Sequence, residues 1–261
     1  MTAAGDLREL AATLAKAAGQ YVQSGRTAEE LSALTKSSPT DMVTQFDTAS
    51  ERMIVDGLRA RRPTDGIVGE EGTDDPGTSG IRWLIDPIDG TTNFFYGLPG
   101  YAVSIAACDE KGAVAGAVYV PATDELFAAS RGDGATLNGI PIACSTTTEL
   151  RHALVATGFS YESERRAVQG ARLARILGHV RDVRRMGAAA VDLCYVAAGR
   201  VDCYYEQWLN PWDLAAGGLI AHEAGCHSGD FTGGPVRPAE VLVANPHLFE
   251  PLRELIAASM V

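Results

Sequence analysis

The stretch Trp83–Phe94, WLIDPIDGTTNF, decides how the rest of the chain reads. Trp83, Leu84 and Ile85 are apolar, and the strand predicted over 81–86 delivers Asp86 at its C-terminal end, where α/β sheets place ligand sites. A turn through Pro87 would fold Asp89 back beside Asp86. Asp-Pro and Asp-Gly are both common turn dipeptides, so either acid alone is explained by a turn. Two carboxylates sharing one spot repel each other unless a cation sits between them. Gly90-Thr91-Thr92 then offers unhindered backbone N–H groups at a predicted helix start, a setting suited to a phosphate. Acids, cation and anion nest in so short a run point to metal-assisted phosphoryl transfer to water.

Composition supports a metal as the source of positive charge. The 261 residues carry 22 Lys and Arg against 33 Asp and Glu, a net charge of −11. Such a surface repels nucleic acid and anionic lipid, and Arg181–Arg185 (RDVRR) is too short to reverse that. Hydrophobic residues make up 46%, enough for a large core, and no apolar run reaches the roughly 18 residues of a membrane span. Residues 1–20, with Asp6 and Glu9 inside an amphipathic pattern, read as a helix of the mature protein and not as a signal peptide. Five cysteines with no C-x-x-C pair suggest buried free thiols in a reducing, cytoplasmic setting.

Periodicity predicts an amphipathic helix over 4–24, a loop over 31–44 containing Pro39, and a helix over 45–60 capped by Thr44. A short strand at 66–68 leads into Gly69-Glu70-Glu71. Residues 101–130 read as antiparallel meander strands, and tight turns follow at Gly132, Gly134 and Asn138-Gly139. Beyond 150, strands and helices alternate: a strand at 152–159, helix 162–178, strand 182–186, helix 188–199, strand 202–206, helix 212–225, strand 241–245 and helix 247–258. One domain spanning 1–261 is expected, with tightly joined lobes over about 1–148 and 149–261.

Further acids extend the pattern, each with a plainer explanation beside it. Glu70 and Glu71 end a strand, or simply form a solvated acidic loop. Asp213, after Pro211 in PWDLAAG, stands in the first turn of a helix, where dipole pairing alone would account for it. Asp47 lies three residues past Thr44 and fits a capping box. Together, GEE at 69–71, WLIDPIDGTTNF at 83–94 and PWDLAAG at 211–217 resemble the inositol monophosphatase family, within the Mg²⁺-dependent, Li⁺-sensitive carbohydrate phosphatases. KSSPTDMVTQFD (36–47), GATLNG (134–139), GAAAVDLCYVAAGRVDCYYE (187–206) and EAG (223–225) extend the resemblance over most of the chain.

The resemblance implies an α+β fold, a layered α-β-α-β-α sandwich of the inositol monophosphatase and fructose-1,6-bisphosphatase type, paired as a homodimer. It implies that Glu70, Asp86 and the Ile88 carbonyl hold one Mg²⁺, that Asp86, Asp89 and Asp213 hold a second that Li⁺ can displace, and that Glu70 helps a weaker third. Thr91 with Asp47 would orient and activate the attacking water, turning Asp47 from a cap into a catalytic acid. The N–H groups of Gly90 and Thr91 would bind phosphate oxygens. Asp89, Glu206 and the Gly187-Ala188-Ala189 turn would meet the hydroxyls of a polyol. Lys36 would sit on a mobile loop over the metals. The implied activity is hydrolysis of inositol 1-phosphate or a similar polyol or sugar phosphate. Fructose 1,6-bisphosphate and histidinol phosphate are alternative substrates, and a regulatory interaction protein that keeps the fold is an alternative function.

Hard Mg²⁺ prefers such oxygen donors to His and Cys. The pair His222…His227 in HEAGCH is spaced i, i+5 and not the i, i+4 of a zinc helix. DPIDGTT differs by one residue from the D-x-D-G-T of phosphatases that use an aspartyl nucleophile, and Arg131-Gly132-Asp133 reads as a turn. Two departures from the family pattern stand out: Ala188, where relatives carry Ser or Thr, and Cys226-His227, where a second Gly is common.

Overall fold

The structure, a computed structural model, describes residues 3–28, 33–35 and 42–259. Helix α1 (Ala3–Ala28) is followed by the short strands β1 (Ala33–Thr35) and β2 (Met42–Thr44), and then by α2 (Gln45–Arg61). Strands β3 (Gly66–Gly69), β4 (Asp74–Asp75) and β5 (Arg82–Asp89) come next, then the short helix α3 (Thr91–Tyr96). The meander is β6 (Ala102–Asp109), β7 (Gly112–Val120), β8 (Glu125–Ser130), β9 (Ala135–Leu137) and β10 (Ile140–Pro141). The second half runs β11 (Leu154–Thr157), α4 (Ser163–Ile176), β12 (Asp182–Arg184), α5 (Ala189–Ala197), β13 (Cys203–Gln207), α6 (Pro211–Glu223), β14 (His227–Gly229), β15 (Glu240–Ala244) and α7 (Phe249–Ala258).

Two sheets organise these elements. The first has the order β10-β9-β8-β7-β6-β5-β3-β4 and is antiparallel except for the parallel pair β3–β5. The second has the order β12-β11-β13-β15-β14, with β11 parallel to both β12 and β13. Alternation along the strands assigns their faces. Ile85, Val103 and Ile105 pack with Ala11, Ala15 and Ala18 of α1 and with Ile54 and Leu58 of α2. Ala102, Ala106 and Val118, on the opposite face, pack with α5 and α6. That middle layer also receives Tyr204, Val241 and Val243 of the second sheet. The alternate residues Cys203, Tyr205 and Leu242 turn outward to Ile176 of α4 and Leu252 of α7. The result is a layered α-β-α-β-α sandwich.

The helix and strand expectations largely match these elements, with two corrections. Residues 33–35 and 42–44 pair as antiparallel strands, Leu34 opposite Val43, where a loop was expected. Runs of three residues are too short for periodicity to reveal. Second, Pro87 does not sit in a turn. Strand β5 continues through Asp89, and its register against β6 slips between Asp86 and Asp89, so an irregularity in the strand brings the two acids to one end. Pro39 and Lys36 lie outside the described residues. All five cysteines are free thiols, three of them buried. Among the described residues no helix is long and apolar enough to cross a membrane.

The first sheet is anchored where β5 begins. Trp83, fully buried, donates its indole N–H to Asp65 Oδ2 at 2.9 Å, and Arg62 Nε and Ser79 Oγ donate to the same carboxylate at 2.7 and 2.6 Å. Burial alone would raise the Asp65 pKa, but these donors outweigh it and hold the carboxyl below its ordinary value. A lowered folded-state pKa contributes stability that is present above the unfolded value and lost as pH falls through the folded one. Asp65→Ala should therefore lower stability at pH 7 by about 1.5–3 kcal/mol, the usual worth of hydrogen bonds to a charged group. In urea unfolding followed by Trp fluorescence, the gap between variant and wild type should begin to narrow below about pH 4, the ordinary range of an aspartate, and go on closing as pH falls through the lowered folded-state value. A gap that does not narrow at all as pH falls below about 4 would mean that Asp65 acts by packing and not by charge.

Candidate active site

Strands β3 and β5 run parallel, with Gly69 opposite Ile85, so both release their acids at the same edge. Glu70 follows β3 directly and donates its N–H to the Ile85 carbonyl. Glu51 of α2 fills the place that a side chain at Gly69 would need, and its carboxylate accepts from Glu71 N and Thr73 N. Asp86 Oδ1 accepts from Ile88 N at 3.0 Å, a local bond that shapes the irregularity in β5. Beyond Asp89, Gly90 adopts φ +85°, and a Cβ there would stand 2.8 Å from the Gly100 carbonyl and 3.1 Å from the Ala188 methyl. Only glycine fits at that turn, which starts α3.

Asp47 is fully buried and does two jobs. Its Oδ2 accepts from Thr44 N (2.8 Å) and Thr44 Oγ1 (2.6 Å), completing the capping box of α2. Its Oδ1 accepts from Thr91 Oγ1 at 3.0 Å, and that hydroxyl also lies 2.9 Å from the Ile88 carbonyl. Asp213 is likewise both a cap and a wall of the site: its Oδ2 accepts from Asn210 N at 2.7 Å in the capping box of α6, and it faces the cavity.

Helix α5 has Ala188 at its N-cap and hence no side-chain cap of its own. Asp89 supplies it from the other sheet, accepting from Ala189 N (3.2 Å) and Ala190 N (2.6 Å). The Ala189 N–H is thus committed to Asp89. Any substrate contact at this turn falls to Gly187 and Ala188, or to the acid itself. Glu206 at the end of β13 accepts from Tyr204 Oη at 2.6 Å and occupies the space beside Gly158 that a Cβ would need.

These residues surround one cavity of about 240 Å³. Every expected site residue among the described ones lines it except Asp47, which stands behind Thr91; Glu71 does not. Its electrostatics follow from the density of acids. Burial above all, with the charges of Glu70 and Glu206, raises Asp89 to about 7 against the pull of the α5 N–H groups. Burial and then Asp89 push Asp213 to about 8, and burial with Glu70 and Asp89 raises Asp86 well above the carboxylate range. Burial takes Glu206 to about 7, against the pull of Tyr204 and Arg185.

Crowded, desolvated carboxylates with a backbone carbonyl among them suit a hard divalent cation. As they lie, no three His, Cys, Asp or Glu side chains among the described residues form a finished cage. Asp86, Asp89 and Asp213 each accept from nearby backbone N–H groups, which orients them while leaving lone pairs toward the cavity. The donor set therefore fits Mg²⁺. His222 and His227 are both exposed, and Glu223 between them accepts from Gly132 N and Gly134 N, closing the Arg131–Asp133 turn.

Sequence reasoning missed two features of the cavity. Asp192 on α5 is 1% exposed, lines the cavity and has no hydrogen-bond partner for either oxygen. The signal was a lone acid in the apolar run AAAVDLCYVAA. Trp208 holds φ +63°, a conformation that strains a bulky residue, and Arg165 stacks on its ring at 5.1 Å. Both line the rim.

Known proteins carry the same arrangement of chain. The inositol-1-monophosphatase of Mycobacterium leprae is 48% identical over 219 residues, 80% of this chain and 75% of that one. The Nus factor SuhB of Escherichia coli is 38% identical, covering 92% of this chain and 91% of its own length. The crystal structure of the extragenic suppressor protein SuhB from Bartonella henselae superposes with a TM-score of 0.90 at 36% identity, over 95% of this chain and 97% of that one. The pattern of the inositol monophosphatase family matches residues 5–260, and the chain belongs to that family.

Proposed function

We propose that the protein is a Mg²⁺-dependent phosphomonoesterase that hydrolyses inositol 1-phosphate or a similar polyol or sugar phosphate by direct attack of water. One observation carries this reading: Glu70, Asp86, Asp89 and Asp213 face a single cavity whose wall holds Thr91 already bonded to Asp47. Glu70, Asp86, the Ile88 carbonyl, Asp89 and Asp213 would hold Mg²⁺, which when bound acidifies water and offsets charge on the phosphate and the departing alkoxide.

The protein's own residues do the rest. Because Thr91 Oγ1 gives its proton to Asp47 Oδ1, its lone pair is left to accept one from a water in the cavity. As that water's oxygen bonds to phosphorus, its proton moves to Thr91 and the Thr91 proton moves to Asp47. The bond from phosphorus to the alcohol oxygen breaks, and the alcohol takes a proton from solvent. The N–H groups of Gly90 and Thr91 would hold phosphate oxygens. Glu206, Asp89 and the Gly187-Ala188 turn would accept or donate hydrogen bonds at the hydroxyls. A homodimer, a cytoplasmic location and Li⁺ inhibition at Asp86, Asp89 and Asp213 rest on the family resemblance and belong to the same proposal. The relative named Nus factor SuhB supports a second reading, an interaction protein that keeps the fold. Release of phosphate from inositol 1-phosphate tests the first against the second.

Asp86→Asn should reduce turnover to below a few per cent at saturating Mg²⁺. Removing one of several repelling charges should also leave the Tm without Mg²⁺ at or above that of the wild type, while abolishing the Mg²⁺-dependent rise in Tm. Retained activity, or a retained Mg²⁺ shift, would remove Asp86 from the metal site.

Glu206→Gln should act on the alcohol and not on the phosphate. A hydrogen bond to a charged group is worth about 1.5–3 kcal/mol, so kcat/KM for inositol 1-phosphate should fall roughly 10- to 150-fold. An aryl phosphate without hydroxyls should change little. Equal losses on both substrates would assign Glu206 to support of the metal ligands.

A further inference from the structure

Trp208 stands where the chain changes direction between Glu206 and Asp213, and all three residues line the cavity. Its φ of +63° falls in the left-handed region, which glycine and asparagine adopt readily and a bulky residue does not. The neighbouring backbone holds it there: Trp208 N donates to the Ala239 carbonyl at 3.2 Å and Leu209 N to the Pro238 carbonyl at 2.9 Å. Neither bond needs an indole, and glycine would make the same turn without strain. A residue kept in a disfavoured conformation by its surroundings points to work done by its side chain. That work is not core packing. Trp208 is exposed at the rim, whereas Trp83 is fully buried. Arg165, in the first turn of α4, stacks over the indole with its guanidinium carbon 5.1 Å from the ring centroid. Arg165 Nη2 also lies 3.1 Å from Glu162 Oε1, so its charge is answered locally. What the rim offers is therefore a flat, rigid, uncharged surface beside a cavity lined with acids.

We propose that Trp208 is a specificity-determining residue whose indole packs against the ring face of the substrate alcohol, so that the preferred substrate is the phosphate of a cyclic polyol or pyranose and not of an open-chain polyol. The inference rests on the phosphatase reading above and narrows it. A six-membered ring with mostly equatorial hydroxyls directs them outward from its edge and shows axial C–H bonds on its faces. Those faintly positive C–H groups suit the negative face of an indole, and covering them removes apolar surface from water. The hydroxyls on the edge are left for Glu206 and the Gly187-Ala188 turn. An open-chain polyol of the same size has no such face, and it must also lose internal rotations to lie flat. The contact is made in the ground state and the transition state alike, so it acts on KM more than on kcat.

The test compares inositol 1-phosphate with glucitol 6-phosphate, which has the same number of carbons and free hydroxyls on an open chain. It uses Mg²⁺-loaded wild type, Trp208→Gly and Trp208→Asn, which remove the indole with residues that accept the turn, and Trp208→Phe, which keeps an aromatic face. Circular dichroism and Tm confirm that the variants are folded. The wild type should favour the ring substrate in kcat/KM. Trp208→Gly and Trp208→Asn should lose roughly 3- to 20-fold on inositol 1-phosphate, the worth of one aromatic contact, chiefly through a higher KM. They should lose far less on glucitol 6-phosphate, and Trp208→Phe should recover part of the loss on the ring. Equal losses on both substrates, or a wild type without preference for the ring, overturn the proposal. So does a loss confined to kcat, which would make Trp208 a prop for the acids beside it. If the wild type hydrolyses neither substrate, the phosphatase reading fails on its own. Calorimetric titration with inositol 1-phosphate then decides the role of Trp208: binding that weakens in Trp208→Gly and returns in Trp208→Phe supports it, and binding that is absent or indifferent to Trp208 overturns it.

Discussion

The contact on which the rest of the molecule depends joins residues a hundred positions apart. Asp89 leaves the end of β5 in the first sheet and accepts the N–H groups of Ala189 and Ala190 at the start of α5. Helix α5 belongs to the middle layer, packed against both sheets. One carboxylate therefore caps a helix that has only Ala188 at its own N-cap, and sets that helix at the correct height over the first sheet. It also brings the Gly187-Ala188 turn and Glu206 opposite the acids of β3 and β5. A helix N-terminus carries partial positive charge, so the bond stabilises the ionised acid as well as the helix.

The same device explains how so many acids coexist in one place. Buried carboxylates destabilise a fold unless their lone pairs are matched. Asp47 closes the capping box of α2, Asp213 closes that of α6, Asp86 holds the N–H of Ile88, and Asp89 caps α5. Each acid is thus tied to a local structural duty that fixes its rotamer, and the cavity receives what remains of its lone pairs. Capping and the proposed chemistry, which are competing explanations when each acid is read alone, are compatible within one carboxylate, as in Asp47, whose Oδ2 caps α2 while Oδ1 meets Thr91. Asp192 is the exception, with neither oxygen matched.

What the sequence reveals and what it hides divide along the distance between partners. The Thr44 cap, the amphipathic stripe of α1 and the strand that delivers Asp86 rest on neighbours within a few residues, and pattern reading finds them. The irregularity that keeps Pro87 within β5 depends on pairing with β6, so an Asp-Pro dipeptide reads instead as a turn. The β1–β2 pair is too short to show a period. Gly158 looks like any loop glycine until Glu206 is seen in the space beside it. Asp192 sits on an apolar helix that gives no hint of which cavity it would face. Only the order of three motifs along the chain singles out these acids, because no acid by itself distinguishes a ligand from a cap.

The bond from Asp89 to α5 also bears on when the site comes into being. Strands β3 and β5 and the Thr44–Asp47 turn are built from contacts of modest sequence separation and can form early, whereas closing a loop of about a hundred residues is entropically demanding and slow. Until the second sheet docks, Asp89 has no helix to cap, Asp213 and Glu206 are elsewhere, and the first sheet presents only a loose pair of acids to solvent. Such a pair is a poor trap for a divalent ion, which needs several converging oxygens. On the proposed reading, the oxygens that would hold Mg²⁺ converge only once the second sheet has docked on the first, so a chain still folding offers no complete cage to a metal.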